Sequence, residues 1–201
     1  MMNDLERMKA GLAHQPYHPE MSAARLKIKE MLFDYNHVLR PSQKAERTAL
    51  IKQIIGKTKN HLKINSPFFC DYGFQIEVGE NFFANYGCTM LDSGGIQIGD
   101  NVMFGPNVSL YSVEHPLHPE LRNAEWEHGR KITIGNNVWV SGSVTIIGGV
   151  TIGDNVVIGA GAVVTRDIPA NSLAVGNPCR VLREITDADR EFYCRTYLQD
   201  V

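Results

Sequence analysis

From Ile134 onward, aliphatic residues return every six positions: IGNNVW, VSGSVT, IIGGVT, IGDNVV, IGAGAV, VTRDIP. Each hexad opens on Ile or Val, and its fifth residue is Val, Ala or Ile. The same metre runs with slips through VGENFF, ANYGCT and MLDSGG from Val78, then IGDNVM and FGPNVS from Ile98. A weaker lead-in passes through Ile64, Cys70 and Ile76. Residues two apart on a strand share a face, so Val156 and Ile158 point one way and Val157 the other. Gly159 in IGAG then allows a bend that a Cβ would resist. A short strand and a corner in every hexad give a coil with flat sides. Three sides close a turn, so about 18 residues make one rung, and stacked rungs bury a continuous aliphatic column. A doubly wound sheet would need helical segments between strands, and residues 132–182 contain none. The pattern predicts a mainly β fold, a parallel β-helix.

A different period flanks the repeats. Residues 22–39 (SAARLKIKEMLFDYNHVL) place Leu26, Met31, Leu32, Tyr35 and Leu39 near helical spacing. Pro41 breaks that pattern. A second helix is expected to start from a Ser42 cap and end at Gly56. Thr186-Asp-Ala-Asp189 has the spacing of a capping box opening a short C-terminal helix. The expected organisation is an N-terminal helical cap (1–57), a β-helix (58–183) with a protruding loop (113–131), and a C-terminal helical tail (184–201). Terminal caps of this kind shield the apolar ends of a solenoid.

The loop is where the metre stops. It begins at SVEHPLHPELR, residues 112–122, and cannot lie inside the column. Loops carried on rigid scaffolds concentrate chemistry, and this one opens on His115.

Composition narrows the classes. A chain of 201 residues fits one domain with a small appendage. A formal charge of −2 gives no support to nucleic-acid or anionic-membrane binding. No apolar run approaches the roughly 18 residues of a membrane span. Cys70, Cys88, Cys179 and Cys194 form no CxxC pair and, with no signal peptide in view, read as reduced thiols in the cytoplasm.

Taken together, RLKIKEMLFDYNH, FFANYGCTMLD, IGDNVMFGPNVSL, EHPLHPELR, ITIGNNVWV, GGVTIGDNVVIGAGAVVTRDIP and AVGNPCRVLREI resemble the hexapeptide-repeat acyltransferases. The resemblance is greatest to the maltose and galactoside O-acetyltransferase group and covers nearly the whole chain. It implies a left-handed β-helix, a homotrimer, acetyl-CoA as donor and a sugar hydroxyl as acceptor, with no metal. A hydroxyl is a poor nucleophile at neutral pH, so a base must take its proton as it attacks the thioester. An imidazole suits this, with an ordinary value of about 6.5. The resemblance gives that role to His115, with Glu125 or Glu127 of the same loop as candidates to orient it. His118 and His128 lie in the same loop. A zinc enzyme built on three loop histidines is the less favoured alternative.

The remaining assignments also follow the resemblance. Asn85 is placed at the reacting centre, and Asp71, Phe83, Asp92 and Ser93 on the acceptor side. Ser93 stands where relatives carry a second acid, and Phe83 where some carry tyrosine. At the N-terminus, His18 stands where an acidic acceptor contact is common, with Tyr17 and Glu20 as neighbours. On the donor side fall Trp139, Gly142, Ala160, Thr165, Arg166, Arg180 and Arg183. Arginine matches phosphate geometry, a Gly142 N–H could stabilise an oxyanion, and Trp139 fits either the pantetheine arm or a subunit contact. Other acceptors (an antibiotic, serine or a lipo-oligosaccharide) and a noncatalytic trimeric scaffold remain as alternatives.

Overall fold

Three flat faces wrap one aliphatic column in a computed structural model that describes residues 2–198. The first face stacks Lys57–Thr58, Ile76–Val78, Ile96–Ile98, Ile132–Ile134 and Thr151–Ile152. The second stacks Leu62–Ile64, Phe82–Ala84, Met103–Phe104, Trp139–Val140, Val157–Ile158 and Ser172–Val175, and Arg180–Glu184 closes it antiparallel. The third stacks Phe68–Cys70, Cys88–Leu91, Ser109–Tyr111, Thr145–Ile147 and Val163–Val164. Neighbouring rungs pair in parallel, and the chain visits the faces in that order. The solenoid is a parallel β-helix.

Alternation puts the aliphatic set inside. Ile96, Ile132, Phe104, Val140, Leu110 and Ile146 are among the fully buried residues. Each such side chain contributes about 2 kcal/mol by leaving water. Rungs above the loop repeat every 18 residues, as Thr133 facing Thr151 shows, and the last every 16, as Val157 facing Leu173 shows. Below it they repeat every 20, as Glu77 facing Gln97 shows. The two extra residues fall on the edge between the third and first faces, at Asp71–Gln75 and Asp92–Gly95. The loop leaves from that same edge, and the last rung is shortened there by two residues, so every slip in the repeat falls at one corner.

The edge between the first and second faces is built differently. Asn81, Asn101, Asn137, Asn155 and Asn171 all sit there at φ of 56–57°. Their amides form a continuous row, each donating to the next Oδ1 at 2.9, 3.2, 3.0 and 2.9 Å. Asparagine tolerates positive φ better than other non-glycine residues. At the IGAG corner the positive φ belongs to Gly161, not Gly159. Gly159 is needed for space instead, since a Cβ there would come within 2.7 Å of Val175 Cγ1.

Helices close the lower end. Helix α1 (Asp4–Lys9) carries an Asn3–Glu6 capping box that the hydrophobic pattern does not reveal. Helix α2 (Pro19–Phe33) runs into a π-helical turn at Asp34–Val38, and α3 (Lys44–Ile54) follows. The expected Ser42 cap is replaced by Gln43, whose Oε1 accepts the Arg40 N–H at 3.0 Å. Leu26 faces solvent, and Ile28 takes its expected place beside Leu32 and Tyr35 against the column. At the other end α5 (Asp187–Tyr197) opens with the Asp189 carboxylate accepting the Thr186 N–H at 3.0 Å. Residues 199–201 of the expected tail lie outside the described residues. Cys70, Cys88 and Cys179 are buried free thiols and Cys194 is half-buried. Among the described residues, no helix is long and apolar enough to cross a membrane.

Candidate active site

The candidate residues divide between two edges of the prism. Asp71, Asp92, Ser93, Thr165, Arg166 and the loop bearing His115 belong to the third–first edge. Asn85, Gly142 and Ala160 belong to the second–third edge, Gly142 two rungs above Asn85 and Ala160 one rung above Gly142. Phe83 and Trp139 project from the second face, and Arg180 and Arg183 lie on the antiparallel strand at its top. The third face separates the two groups by the length of Cys88–Leu91, roughly 13 Å at about 3.3 Å per residue. One chain therefore does not bring Asn85 and His115 together.

The loop leaves the column as a short hairpin. Val113 faces Gly129 and Glu114 faces His128, followed by a helical turn, α4 (Pro119–Asn123). His115 is exposed just past the last pair. Glu114 meets both His128 and Arg130 at 3.4 Å. Among the described residues, no side chain is hydrogen-bonded to His115. The expected partner Glu127 is committed elsewhere: it is buried, and its carboxylate lies 3.0 Å from His14 Nε2. Glu125 is exposed at φ 64° in the turn after α4. His14 is the residue that sequence reasoning missed. Its spacing to Glu127 is 113 residues, and no local pattern reports such a pair.

The acceptor-side carboxylates behave differently from one another. Asp92 is fully buried, and its oxygens accept the N–H groups of Tyr72 at 2.8 Å and Gln75 at 3.2 Å. Burial pushes its carboxyl up to about 6, opposed by these backbone donors. Ser93 is also buried, its carbonyl accepting Gln75 Nε2 at 2.7 Å. Within one chain, Asp92 and Ser93, expected on the acceptor side, are both buried in the widened corner and bonded to its backbone and to Gln75. Asp71 is half-buried. Burial raises its carboxyl first and the nearby Glu127 raises it further, while Arg25 and Lys29 of α2 oppose both. Tyr17, His18 and Glu20 are exposed at the start of α2, and Tyr17 stacks 5.5 Å from the Arg25 guanidinium.

On the other edge, Asn85 Oδ1 accepts the Tyr86 N–H at 2.8 Å, which turns the corner, and also the Asn65 Nδ2 at 3.5 Å. Gly142 donates nothing to any acceptor among the described residues, while its carbonyl accepts the Gly161 N–H at 3.0 Å. Thr165, Arg166 and Ala160 are exposed. Arg180 donates to the Cys179 carbonyl at 2.7 Å, and Arg183 forks onto Asp189 at 2.8 and 2.5 Å. Phe83, Met103, Trp139 and Val157 form an outward apolar stripe on the second face, with Met103 and Trp139 each 51% exposed. No group of three or more His, Cys, Asp or Glu among the described residues could hold a metal ion.

Comparison with known proteins bears on this geometry. Residues 7–59 match the maltose acetyltransferase hexapeptide capping motif, and residues 131–166 the bacterial transferase hexapeptide repeats. The galactoside O-acetyltransferase of Escherichia coli strain K12 is 43% identical over 192 residues, covering 96% of this chain and 94% of that protein. The chain belongs to the galactoside and maltose O-acetyltransferase family. Within that family, a solved galactoside acetyltransferase in complex with coenzyme A superimposes with a TM-score of 0.90 at 43% identity over 94% of each chain. A maltose O-acetyltransferase from Clostridium difficile 630 gives a TM-score of 0.89 at 44% identity, over 92% of this chain and 98% of that one. Family membership makes the chain an acetyl-CoA-dependent acetyltransferase built on a β-helix.

Proposed function

We propose that this chain transfers the acetyl group of acetyl-CoA to a sugar hydroxyl at a site formed between two of its copies. One observation carries the reading: Asn85 and Gly142 stand on one edge of the prism and His115 on another. Three copies around a threefold axis set the second–third edge of each against the loop of the next. The apolar stripe of Phe83, Met103 and Trp139 supplies a surface for that contact. In this arrangement His115 takes the proton of the acceptor hydroxyl as it attacks the thioester carbon, and passes it to the departing thiolate. The Gly142 N–H, which has no internal acceptor, is available to a developing oxyanion. The Asn85 amide holds the acceptor or the thioester from the same edge. Arg180 and Arg183 offer guanidinium forks to the phosphates of the donor, and Thr165 and Arg166 of the facing edge complete its groove. Asp71 grips acceptor hydroxyls beside the loop.

The test is thiol release from acetyl-CoA with a panel of glycosides, comparing the parent with His115→Ala. The variant should fold unchanged by circular dichroism and turn over at least about 10²-fold more slowly, the low end for general base catalysis. Near-parent turnover in His115→Ala overturns the mechanism, and a parent that releases no thiol with any acceptor overturns the function.

A further inference from the structure

The pair His14–Glu127 has no part in that reading, yet it is the most deeply buried His–carboxylate or ion pair among the described residues, with side chains 0% and 10% exposed. Both imidazole nitrogens face oxygen. Nε2 lies 3.0 Å from Glu127 Oε1, and Nδ1 lies 3.1 Å from the Leu12 carbonyl. A neutral imidazole carries one N–H and an imidazolium two. Satisfying both contacts therefore requires one proton more than a neutral ring beside a carboxylate holds. The extra proton sits on the ring, giving imidazolium and carboxylate, or on Glu127, giving imidazole and carboxylic acid. Without it, a ring lone pair would face a carboxylate oxygen with no water to intervene, a costly arrangement in a protein interior.

The pair joins two segments that otherwise have separate anchors. The His14 N–H donates to the Glu127 carbonyl at 2.9 Å and the Glu127 N–H to the His14 carbonyl at 3.1 Å. Gln15 Nε2 adds a bond to the Ala124 carbonyl at 3.2 Å. On the other side of the same segment lies the hairpin that carries the base. Val113 faces Gly129 and Glu114 faces His128, so His115 and Glu127 are the next residues along the two arms. Glu127 thus ties His14 to the arm of the hairpin that pairs with the arm leading into His115.

We propose that His14 and Glu127 are positioning residues for acetyl transfer: the proton they share latches the N-terminal segment onto the inserted loop and fixes the backbone from which His115 projects. The charged neighbours are few. Asp71, on the column, feels Glu127 on one side and Arg25 and Lys29 of α2 on the other. Tyr72 accepts from Arg25 at 2.6 Å. On the α1 side, Asp4 accepts the Gln15 N–H at 3.1 Å and Arg7 donates to the Ala13 carbonyl at 2.6 Å. Arg25, Tyr72, Asp4 and Arg7 are held by these contacts of their own, and none of the neighbours supplies a second acceptor or donor to the latch.

The proposal rests on the acetyl-transfer reading for its kinetic part only. Three variants test it: His14→Ala, Glu127→Ala and Glu127→Gln. In the last, the side-chain amide donates to Nε2 of a neutral ring whose Nδ1–H still reaches Leu12, so the contact survives without the shared proton. His14→Ala and Glu127→Ala should lose about 10-fold or more in kcat, the scale of a misplaced catalytic group, while the KM for acetyl-CoA stays within about 2-fold of the parent. Glu127→Gln should keep the parent kcat near neutrality. Hydrogen exchange over residues 113–131, which needs no substrate, should speed up in both alanine variants and not in Glu127→Gln. A parent inactive on every acceptor would defeat the acetyl-transfer reading and leave the exchange measurement to decide the latch. Parent-like kcat and exchange in the alanine variants would overturn the proposal, as would a Glu127→Gln variant as impaired as Glu127→Ala. If His14→Ala fails to fold, the two Glu127 variants decide it alone.

Discussion

Asn85 and His115 occupy different edges of one prism, with the whole third face between them. If the site needs one residue from each of two copies, two inactive variants should repair one another. In a randomly mixed trimer of Asn85→Ala and His115→Ala chains, an intact site forms where an His115→Ala chain meets the correct side of an Asn85→Ala chain, which is about one junction in four. Co-expressed and purified together, the two should show roughly a quarter of parent turnover, although each alone is nearly dead. Activity in the mixture no higher than in the separate variants would place both residues in one chain's site, or in none.

Asp92 should make the fold less stable as pH rises. Its carboxyl is raised from 3.8 to about 6 in the folded chain, chiefly by burial, so the folded state holds that proton more tightly than the unfolded state does. The resulting stabilisation is fully present below about 4 and is lost as pH passes through about 6, a swing on the order of 3 kcal/mol. Melting curves of the parent and of Asp92→Asn across that window should diverge in slope, the parent being the steeper. Parallel curves would show that the backbone donors of Tyr72 and Gln75 outweigh burial.

The asparagine row can be broken at one rung. Asn137 donates to Asn155 and accepts from Asn101 at a φ of 56°. Asn137→Ala loses both contacts and forces a Cβ-bearing residue without a local polar group into positive φ, a cost of about 1–2 kcal/mol beyond the hydrogen bonds. Asn137→Gly loses the contacts alone. The midpoint temperature should fall for both and further for alanine. Equal falls for the two would mean that the row, and not the backbone conformation, sets the preference for asparagine.

Arg180→Ala and Arg183→Ala should raise the KM for acetyl-CoA with little change in kcat, because phosphate contacts lie away from the reacting carbon. If either guanidinium meets the 3′-phosphate, the penalty should shrink with the dephospho donor. A fall in kcat with KM unchanged would move these arginines away from the donor.

Much of the architecture is readable before any coordinates, because the hexads encode strand, corner and face at once. IGDNVV and IGAGAV each carry their inward pair and their bend within six residues. The corner chemistry is less legible. Asn155 and Gly161 solve the same backbone problem with different residues, and Gly159 is chosen for clearance from a side chain on another strand. At the site, the position of His115 follows from where the metre stops. The fate of Asp92 does not, since a buried acid serving a turn twenty residues earlier reads like a solvent-facing one. His14 and Glu127 are invisible for a plainer reason: their pairing depends on how far the loop folds back toward α1, which no local pattern states.

The hydrogen bonds between rungs all run along the column, and the faces offer no strands lying lengthwise to share a load. Pulled at its two ends, such a column would open one rung after another at modest force, since only a single turn's bonds are stretched at a time. Squeezed from the sides, it would resist through side chains already in contact. The molecule is therefore soft in tension and stiff in compression across its axis, and its helical ends, where pulling would begin, set its mechanical strength.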